Sequence, residues 1–103
     1  MKILTIETIP NRNYEALDIV KGTVVYSKNF GRDFMAGMKT LVGGEITGYT
    51  EMLNEARQIA TKRMVDAAES LGADAVVNVR YASSSVMQGA AEVVAYGTAV
   101  KFR

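Results

Sequence analysis

The side chains in this 103-residue chain that could do chemistry are carboxylates, arginines, hydroxyls and thioethers, because the sequence contains neither cysteine nor histidine. That absence removes thiolate nucleophiles, imidazole bases, thiolate or imidazole metal ligands and disulfide bonds together. The serines at positions 83–85 have no histidine to act as their base, so nucleophilic catalysis by this route is not expected. We predict no catalytic residue, no bound metal and no cofactor.

Carboxylates and thioethers leave one metal hypothesis open. Glu51 and Glu55 lie one helical turn apart and could share a divalent cation or act as an acid–base pair. No third ligand follows on that face, so a solvated helix face is the preferred interpretation. Thioethers bind Cu(I), but Met52 and Met64 fall on the core side of a predicted helix, where methionine usually fills space. A protein that binds metal through carboxylate and methionine ligands is kept as the alternative function.

Two arginines stand beside the apolar side of the same predicted helix. Arg57 and Arg63 could bind an anion or pair with carboxylates across a subunit contact. Polar side chains on a nearby predicted strand would need partners if an oligomer buried them. The candidate intersubunit pocket consists of Tyr49, Glu51, Arg57, Asn78 and Arg80. A hydrolase with Glu51 as base and Arg57 as anion clamp is the least supported hypothesis, since the sequence indicates no substrate.

One long helix and the strand after it position these residues. Apolar or small residues recur at steps of three and four over residues 46–71, which predicts an amphipathic helix. Gly72 follows as a left-handed C-cap. The period then changes to two, which predicts a strand in which Val77, Val79 and Tyr81 share one face and the intervening residues share the other.

The remaining segments predict an α+β fold in a single domain, residues 1–103. Strands are predicted over residues 2–9, 19–28 and 92–102, a polar loop over 11–18, a short helix over 31–42 and a turn over 83–91. Gly22, inside the second strand, marks a bulge or a close backbone neighbour. We therefore expect a four-stranded, mainly antiparallel sheet with one long helix and one short helix, in the order β-β-α-α-β-β. The last two strands should form a hairpin that the first pair flanks.

The predicted strands are apolar or small on both faces, the last strand most of all. Its faces hold Val94, Tyr96, Val100 and Phe102 on one side and Val93, Ala95, Gly97 and Ala99 on the other. One helix covers one face of a sheet, and a monomer rarely exposes a patch as large as a second face. Gly97 and the alanines would also let another backbone approach. We predict a homo-oligomer that buries part of the sheet or its edges; the alternative is a monomer whose short helix and loops cover that face.

Charge and hydropathy exclude several classes of partner. Twelve lysines and arginines balance eleven aspartates and glutamates, so no single-sign field indicates binding to nucleic acid or to an anionic membrane. No apolar run approaches the roughly 20 residues of a membrane-spanning helix, and the first residues lead into a strand pattern instead of a signal peptide. A cytoplasmic protein is expected.

Several sequence motifs together resemble the YbjQ family over essentially the whole chain. They are GRDF (31–34), VGGE (42–45), GYTEML (48–53), EAR (55–57), RM (63–64), LGADAV (71–76) and EVVAYGTAV (92–100). The resemblance implies a small cytoplasmic α+β subunit assembled into a homopentamer, in a family without an established biochemical activity.

The same family carries a heavy-metal-binding label that this sequence does not support. With neither cysteine nor histidine, only carboxylates and thioethers remain as side-chain ligands, and these suit different metals. We therefore expect this chain to share the fold and the assembly of the family, and we do not expect it to bind the metal. The expected function is that of a non-enzymatic homo-oligomer, pentameric by resemblance, that binds a small ligand or partner at subunit crevices.

Overall fold

The computed structural model describes residues 1–27, 44–87 and 90–103 of the chain. The elements are β1 (Lys2–Ile3), β2 (Tyr14–Ser27), α1 (Gly44–Ser70), β3 (Ala75–Met87) and β4 (Ala90–Phe102). They form a four-stranded sheet with one helix in the described part, so the predicted α+β class is confirmed. The predicted short helix over residues 31–42 and residues 88–89 of the predicted turn lie outside the described residues.

The sheet is mixed, with the strand order β1-β3-β4-β2. β3 and β4 form the predicted antiparallel hairpin, and β1 and β2 flank it as predicted. The expectation of a mainly antiparallel sheet was wrong at β1, which runs parallel to β3. Two parallel neighbouring strands need a long crossover connection between them. Here β2 and α1 form that connection, and α1 brings the chain back so that β3 starts at the same end of the sheet as β1.

The first two strands have other bounds than the sequence predicts. β1 covers only Lys2–Ile3 of the predicted residues 2–9. Beyond it the backbone still bonds β3, but irregularly: the Leu4 amide donates to Val76 and the Leu4 carbonyl accepts from Val79. β2 begins at Tyr14, inside the predicted polar loop, because its first residues pair with the end of β4.

A bulge in β3 at Asn78 changes which side chains share a face. Asn78 has a φ of 55°, and the pairing with β4 shifts between Val77 and Arg80, so β3 gains one residue there. Val79 therefore lies with the helix-side core, whereas Val77 packs with Val100 on the other side. The predicted common face of Val77, Val79 and Tyr81 was wrong at Val77.

The serine-rich segment is a strand and not the predicted turn. Ser83, Ser84 and Ser85 belong to β3 and pair with residues 91–93 of β4. The hydroxyls suggested a turn because serine is common there, but pairing with an apolar partner strand decides the local structure.

α1 ends as predicted, at a glycine in the left-handed region. Gly72 has a φ of 77°. Its amide donates to the Glu69 carbonyl at 2.9 Å, and the Ala73 amide donates to the Ala68 carbonyl at 3.1 Å. These two bonds are the Schellman arrangement, which satisfies the last carbonyls of the helix. No helix within the described ranges is both long and apolar enough to cross a membrane.

The core lies between α1 and the strands β2 and β4. Ala56, Ala60 and Met64 of α1 are fully buried against valines of the sheet. Gly22 of β2 lies under the helix, where a Cβ would overlap the Ala60 carbonyl oxygen and the Met64 amide nitrogen. The close backbone neighbour predicted for Gly22 is confirmed.

The small side chains of β4 serve this chain's own packing. Ala95 and Ala99 belong to the core beneath α1. A Cβ at Gly97 would lie 2.8 Å from Val76 Cγ1 and 3.2 Å from Val79 Cγ2, so the bulged β3 fills the space there. The suggestion that Gly97 admits a second chain was therefore wrong, and any case for self-association rests on the other face.

Candidate functional site

The sheet face turned away from α1 carries exposed apolar side chains. We call this surface the open face and define it by the facing residues of β2 and β4: Ile19, Lys21, Thr23, Val25, Glu92, Val94, Tyr96 and Thr98. Residues directly opposite each other in an antiparallel pair share a face, so this set lies opposite the core residues Val24 and Val93. The exposed fractions are 73% for Ile19, 55% for Val25 and 40% for Tyr96.

Only one end of this face is covered within the described residues. There Ala75, Val77 and Val100 are buried, packed against Ile9, Tyr14 and Phe102. Tyr14 and Phe102 are paired residues of β2 and β4, and Ile9 packs against this cluster from the segment before β2. Towards Val25 the apolar surface continues without such a cover in the described part of the chain.

Two sheet edges also lack a strand partner among the residues described. β2 is the last strand in the order, and β1 pairs only with Ala75 and Val76 of β3. Residues 81–84 of β3 have a described strand on one side only, where they pair with β4. Unpaired edges present backbone groups that can pair with another chain.

On the other side of the sheet, a groove of about 780 Å³ separates α1 from β3. The groove forms because α1 packs over β2 and β4, where Gly22 allows the helix to come close. This leaves a gap between α1 and β3. The groove is lined by Asn54, Arg57, Gln58, Thr61, Lys62, Val65, Asp66, Glu69 and Tyr81. Eight of these nine residues are polar.

Hydrogen bonds fix the middle of the groove. The Thr61 hydroxyl donates to the Arg57 carbonyl at 2.7 Å and also contacts the Tyr81 hydroxyl at 2.8 Å. The Arg57 guanidinium donates to Asn54 Oδ1 at 3.1 Å. Further along the helix, Lys62 pairs with Asp66 at 3.2 Å. The Thr61–Tyr81 contact ties β3 to the helix across the groove.

The five residues of the predicted intersubunit pocket do not meet within one chain. Arg57 lines the groove, and Glu51 lines an adjoining hollow of about 350 Å³ with Glu55 and with Asn54 and Gln58, which line the groove too. Asn78 and Arg80 lie at the β3 bulge, where Arg80 donates to the Thr5 carbonyl at 3.0 Å. By its pairing with Tyr96, Arg80 is on the open face, opposite Arg57. Tyr49 belongs to α1, and its side chain lies outside the described residues.

Sequence reasoning missed Tyr81 and Thr61 as site residues. Tyr81 was assigned only a place on a strand face, and Thr61 none. They are 20 residues apart, and their meeting depends on how far α1 stands from β3. Neither the periodicity nor the composition of the sequence predicts the distance between α1 and β3, so no local signal indicated this pair.

The residues present do not fit a heavy metal. The chain has no cysteine or histidine, and no three acidic residues in the described ranges come together as a metal site would need. Met52 and Met64 are 3% and 0% exposed in the core, so their sulfurs are not presented to an ion. Glu51 and Glu55 share their hollow with the neutral amides of Asn54 and Gln58.

The family model and highly similar relatives agree on one family for this chain. The model of the YbjQ family, described as "Putative heavy-metal-binding", matches residues 1–103. A UPF0145 protein of Thermotoga maritima is 61% identical over 102 residues, 98% of this chain and 96% of that protein. One from Clostridium novyi is 58% identical over 101 residues, 98% of each chain.

A solved structure supports the fold. It is a protein of unknown function from Pediococcus pentosaceus, assigned to the DUF74 family, with a TM-score of 0.70 and 19% identity. The match covers 100% of this chain and 98% of that one. At this identity the likeness concerns the fold alone.

Proposed function

Because the chain belongs to the YbjQ family, whose model spans residues 1–103, we propose that it is a non-enzymatic protein whose copies cover one another's open face in a homo-oligomer. The observation that carries the proposal is the exposure of Ile19, Val25 and Tyr96 on one continuous sheet face. Five subunits are proposed from the family resemblance and not from the contacts of one chain.

Burial of this face supplies a driving force for association. A fully buried valine, isoleucine or aromatic side chain contributes about 1.5–3 kcal/mol relative to its exposed state. Three such side chains per subunit therefore offer several kcal/mol before the entropy of association is subtracted. Lys21 and Arg80 cross the same face, and their charges would face solvent or a carboxylate of the next copy.

Two different surfaces of the chain suit a ring. A closed ring with an odd number of subunits needs a head-to-tail interface, in which two different surfaces of the chain meet. The open face and the outer edge of β2, the last strand in the order, are two such surfaces. In this arrangement a neighbour would lie near Arg80 on the open face and Asn78 at the bulge, two of the five residues of the predicted intersubunit pocket.

Size-exclusion chromatography with light scattering tests the assembly. A pentamer has a mass of about 56 kDa, five times the 11.2 kDa of one chain. A mass of one chain at micromolar concentration contradicts the proposal and favours a monomer that covers its own face. Native mass spectrometry of the purified particle then shows whether a small molecule is held in the crevices.

Metal binding through carboxylate and methionine ligands is the alternative function, and the description of the matching family as "Putative heavy-metal-binding" is what favours it. Its remaining candidate ligands in the described part of the chain are Glu51 and Glu55, which line one hollow. Calorimetric titration with Cu(I), Zn(II) and Mg(II) separates the alternatives, since the assembly proposal predicts no saturable heat.

A further inference from the structure

The groove between α1 and β3 is a second surface with chemistry of its own, distinct from the open face. It is formed within one chain, between Asn54, Arg57, Gln58 and Thr61 on the helix and Tyr81 on the strand. Its volume of about 780 Å³ extends along α1 from Asn54 to Glu69 and is open to solvent, so a small ligand would occupy only part of it. Its polar lining indicates a polar ligand.

Arg57 is the arginine that lines the groove, and like Arg63 and Arg80 it donates to a neutral oxygen. Arg63 and Arg80 donate to the carbonyls of Thr23 and Thr5, Arg103 pairs with Glu15, and Arg12 stacks on a phenylalanine ring. The Arg57 guanidinium donates to the neutral Asn54 amide oxygen and to no carboxylate in the described ranges. A guanidinium has five N–H donors in a planar fork, so four remain to bind an oxyanion.

The contact with Arg57 also orients the Asn54 amide. Because Asn54 Oδ1 accepts from Arg57, the Asn54 amide nitrogen is left with two donor hydrogens. Gln58 lines the same groove one residue beyond Arg57. Guanidinium and amide N–H groups are the donors that phosphates and carboxylates accept from.

The hydroxyl pair gives the same groove an acceptor. The single hydrogen of the Thr61 hydroxyl goes to the Arg57 carbonyl, so Tyr81 must supply the hydrogen of the 2.8 Å Thr61–Tyr81 contact. The lone pairs of the Tyr81 oxygen then remain to accept a hydrogen bond. A hydroxyl group on the ligand is the natural donor.

The acidic residues near the groove do not cancel the charge of Arg57. Asp66 pairs with Lys62, and Asp66 and Glu69 follow Arg57 by nine and twelve residues, about 13 and 18 Å along a helix axis. Exposed charges that far apart are largely screened at physiological salt. Glu55, two residues before Arg57, points about 200° around the axis and lines the adjoining hollow with Glu51.

We propose that this groove binds the oxyanion group of a small hydroxylated molecule. Arg57 and the Asn54 amide hold the oxyanion, and the Tyr81 oxygen accepts a hydrogen bond from the ligand's hydroxyl. A phosphate ester and a hydroxy acid share this chemistry, and the probes below distinguish them. The inference goes beyond the proposed assembly: the groove lies within one chain, so binding is measurable whether or not copies associate.

The test is a titration of the full chain with inorganic phosphate, glycerol 3-phosphate and glycerate, followed by calorimetry or ligand-observed NMR. We expect glycerol 3-phosphate or glycerate to bind, and the tighter of the two identifies the oxyanion as phosphate or carboxylate. Inorganic phosphate, which lacks the carbon-bound hydroxyls, should bind more weakly than glycerol 3-phosphate. Absence of binding by all three probes at about 10 mM overturns the proposal.

Two charge-matched variants separate a specific site from general attraction. Arg57→Gln should weaken binding at least about tenfold, because a charge-assisted hydrogen bond is lost. Lys62→Gln also removes one positive charge from the groove. Because the Lys62 side chain is already paired with Asp66, this variant should change the affinity less than about threefold. Equal losses in the two variants would show nonspecific attraction and overturn the site.

Tyr81→Phe tests the acceptor. It should bring the affinity for glycerol 3-phosphate down to that for inorganic phosphate and leave phosphate binding unchanged. An unchanged preference for glycerol 3-phosphate would overturn the role of Tyr81. Circular dichroism of each variant verifies that the fold is retained, as expected for residues on the surface.

Discussion

Gly22 of β2 lies directly beneath Ala60 of α1, so closely that a Cβ on the glycine would overlap the Ala60 carbonyl oxygen. The helix packs closely on β2 at this contact. Both the helix-side core and the groove therefore depend on the absence of a side chain at position 22.

Gly22→Ala should lower the free energy of unfolding by about 3 kcal/mol or more, because the atoms in the way are backbone atoms that cannot rotate aside. Urea denaturation followed by circular dichroism, at one protein concentration, measures the change. Glu55→Ala, on the exposed side of α1, is the control and should stay within about 0.5 kcal/mol of the parent. A Gly22→Ala variant as stable as the control would show that the helix does not rest on β2 as described.

Gly72→Ala tests a position where glycine is needed for its backbone conformation and not to avoid a steric clash. No atom lies within 4 Å of a Cβ built there, but φ is +77°. The substitution should cost about 1 kcal/mol, the penalty of a left-handed residue with a Cβ. The same denaturation experiment measures it. A loss as large as that of Gly22→Ala would contradict the assignment of different causes to the two glycines.

Asn78 should tolerate glycine and resist valine. Its φ of 55° is open to asparagine and glycine but costly for a β-branched residue. Asn78→Val should lower the free energy of unfolding by about 1–2 kcal/mol, whereas Asn78→Gly should stay within about 0.5 kcal/mol. If valine stabilises the protein, as expected in a regular strand, the bulge is not present in solution.

These positions also show what the sequence could predict. The end of α1 was predictable because a 3.6-residue period followed by a glycine is a local signal, and the Gly72 geometry agrees with it. The β3–β4 hairpin and the flanking strands were predictable from the alternation of valines. The close neighbour of Gly22 was predictable because a glycine inside a strand has few other causes.

Other features depend on partners distant in sequence. The bulge at Asn78 moves Val79 to the helix side, and a strict period of two cannot anticipate one extra residue. The parallel pairing of β1 with β3 follows from the path of β2 and α1. The groove with Thr61 and Tyr81 depends on the distance between a helix and a strand, which single-element patterns do not contain.

Metal titration should give no saturable heat and no thermal shift with Cu(I), Zn(II) or Mg(II). The physical reason is the donor set: no thiolate or imidazole in the sequence, and core positions for Met52 and Met64. Calorimetry and thermal melting measure the two effects. Saturable binding that Glu51→Gln or Glu55→Gln abolishes would contradict this expectation and establish the alternative function.

The most direct test of the account is the mass of a variant with a charged open face. The double variant Ile19→Lys/Val25→Lys places two charges on the open face. The control variant Leu71→Lys places one charge just after α1, at an exposed apolar residue outside the open face. Light scattering at micromolar concentration should give an oligomer for the parent and for Leu71→Lys, and single chains for the double variant. A parent that is already a single chain, or a double variant that keeps the parent's mass, would contradict the claim that copies of this chain cover one another's open face.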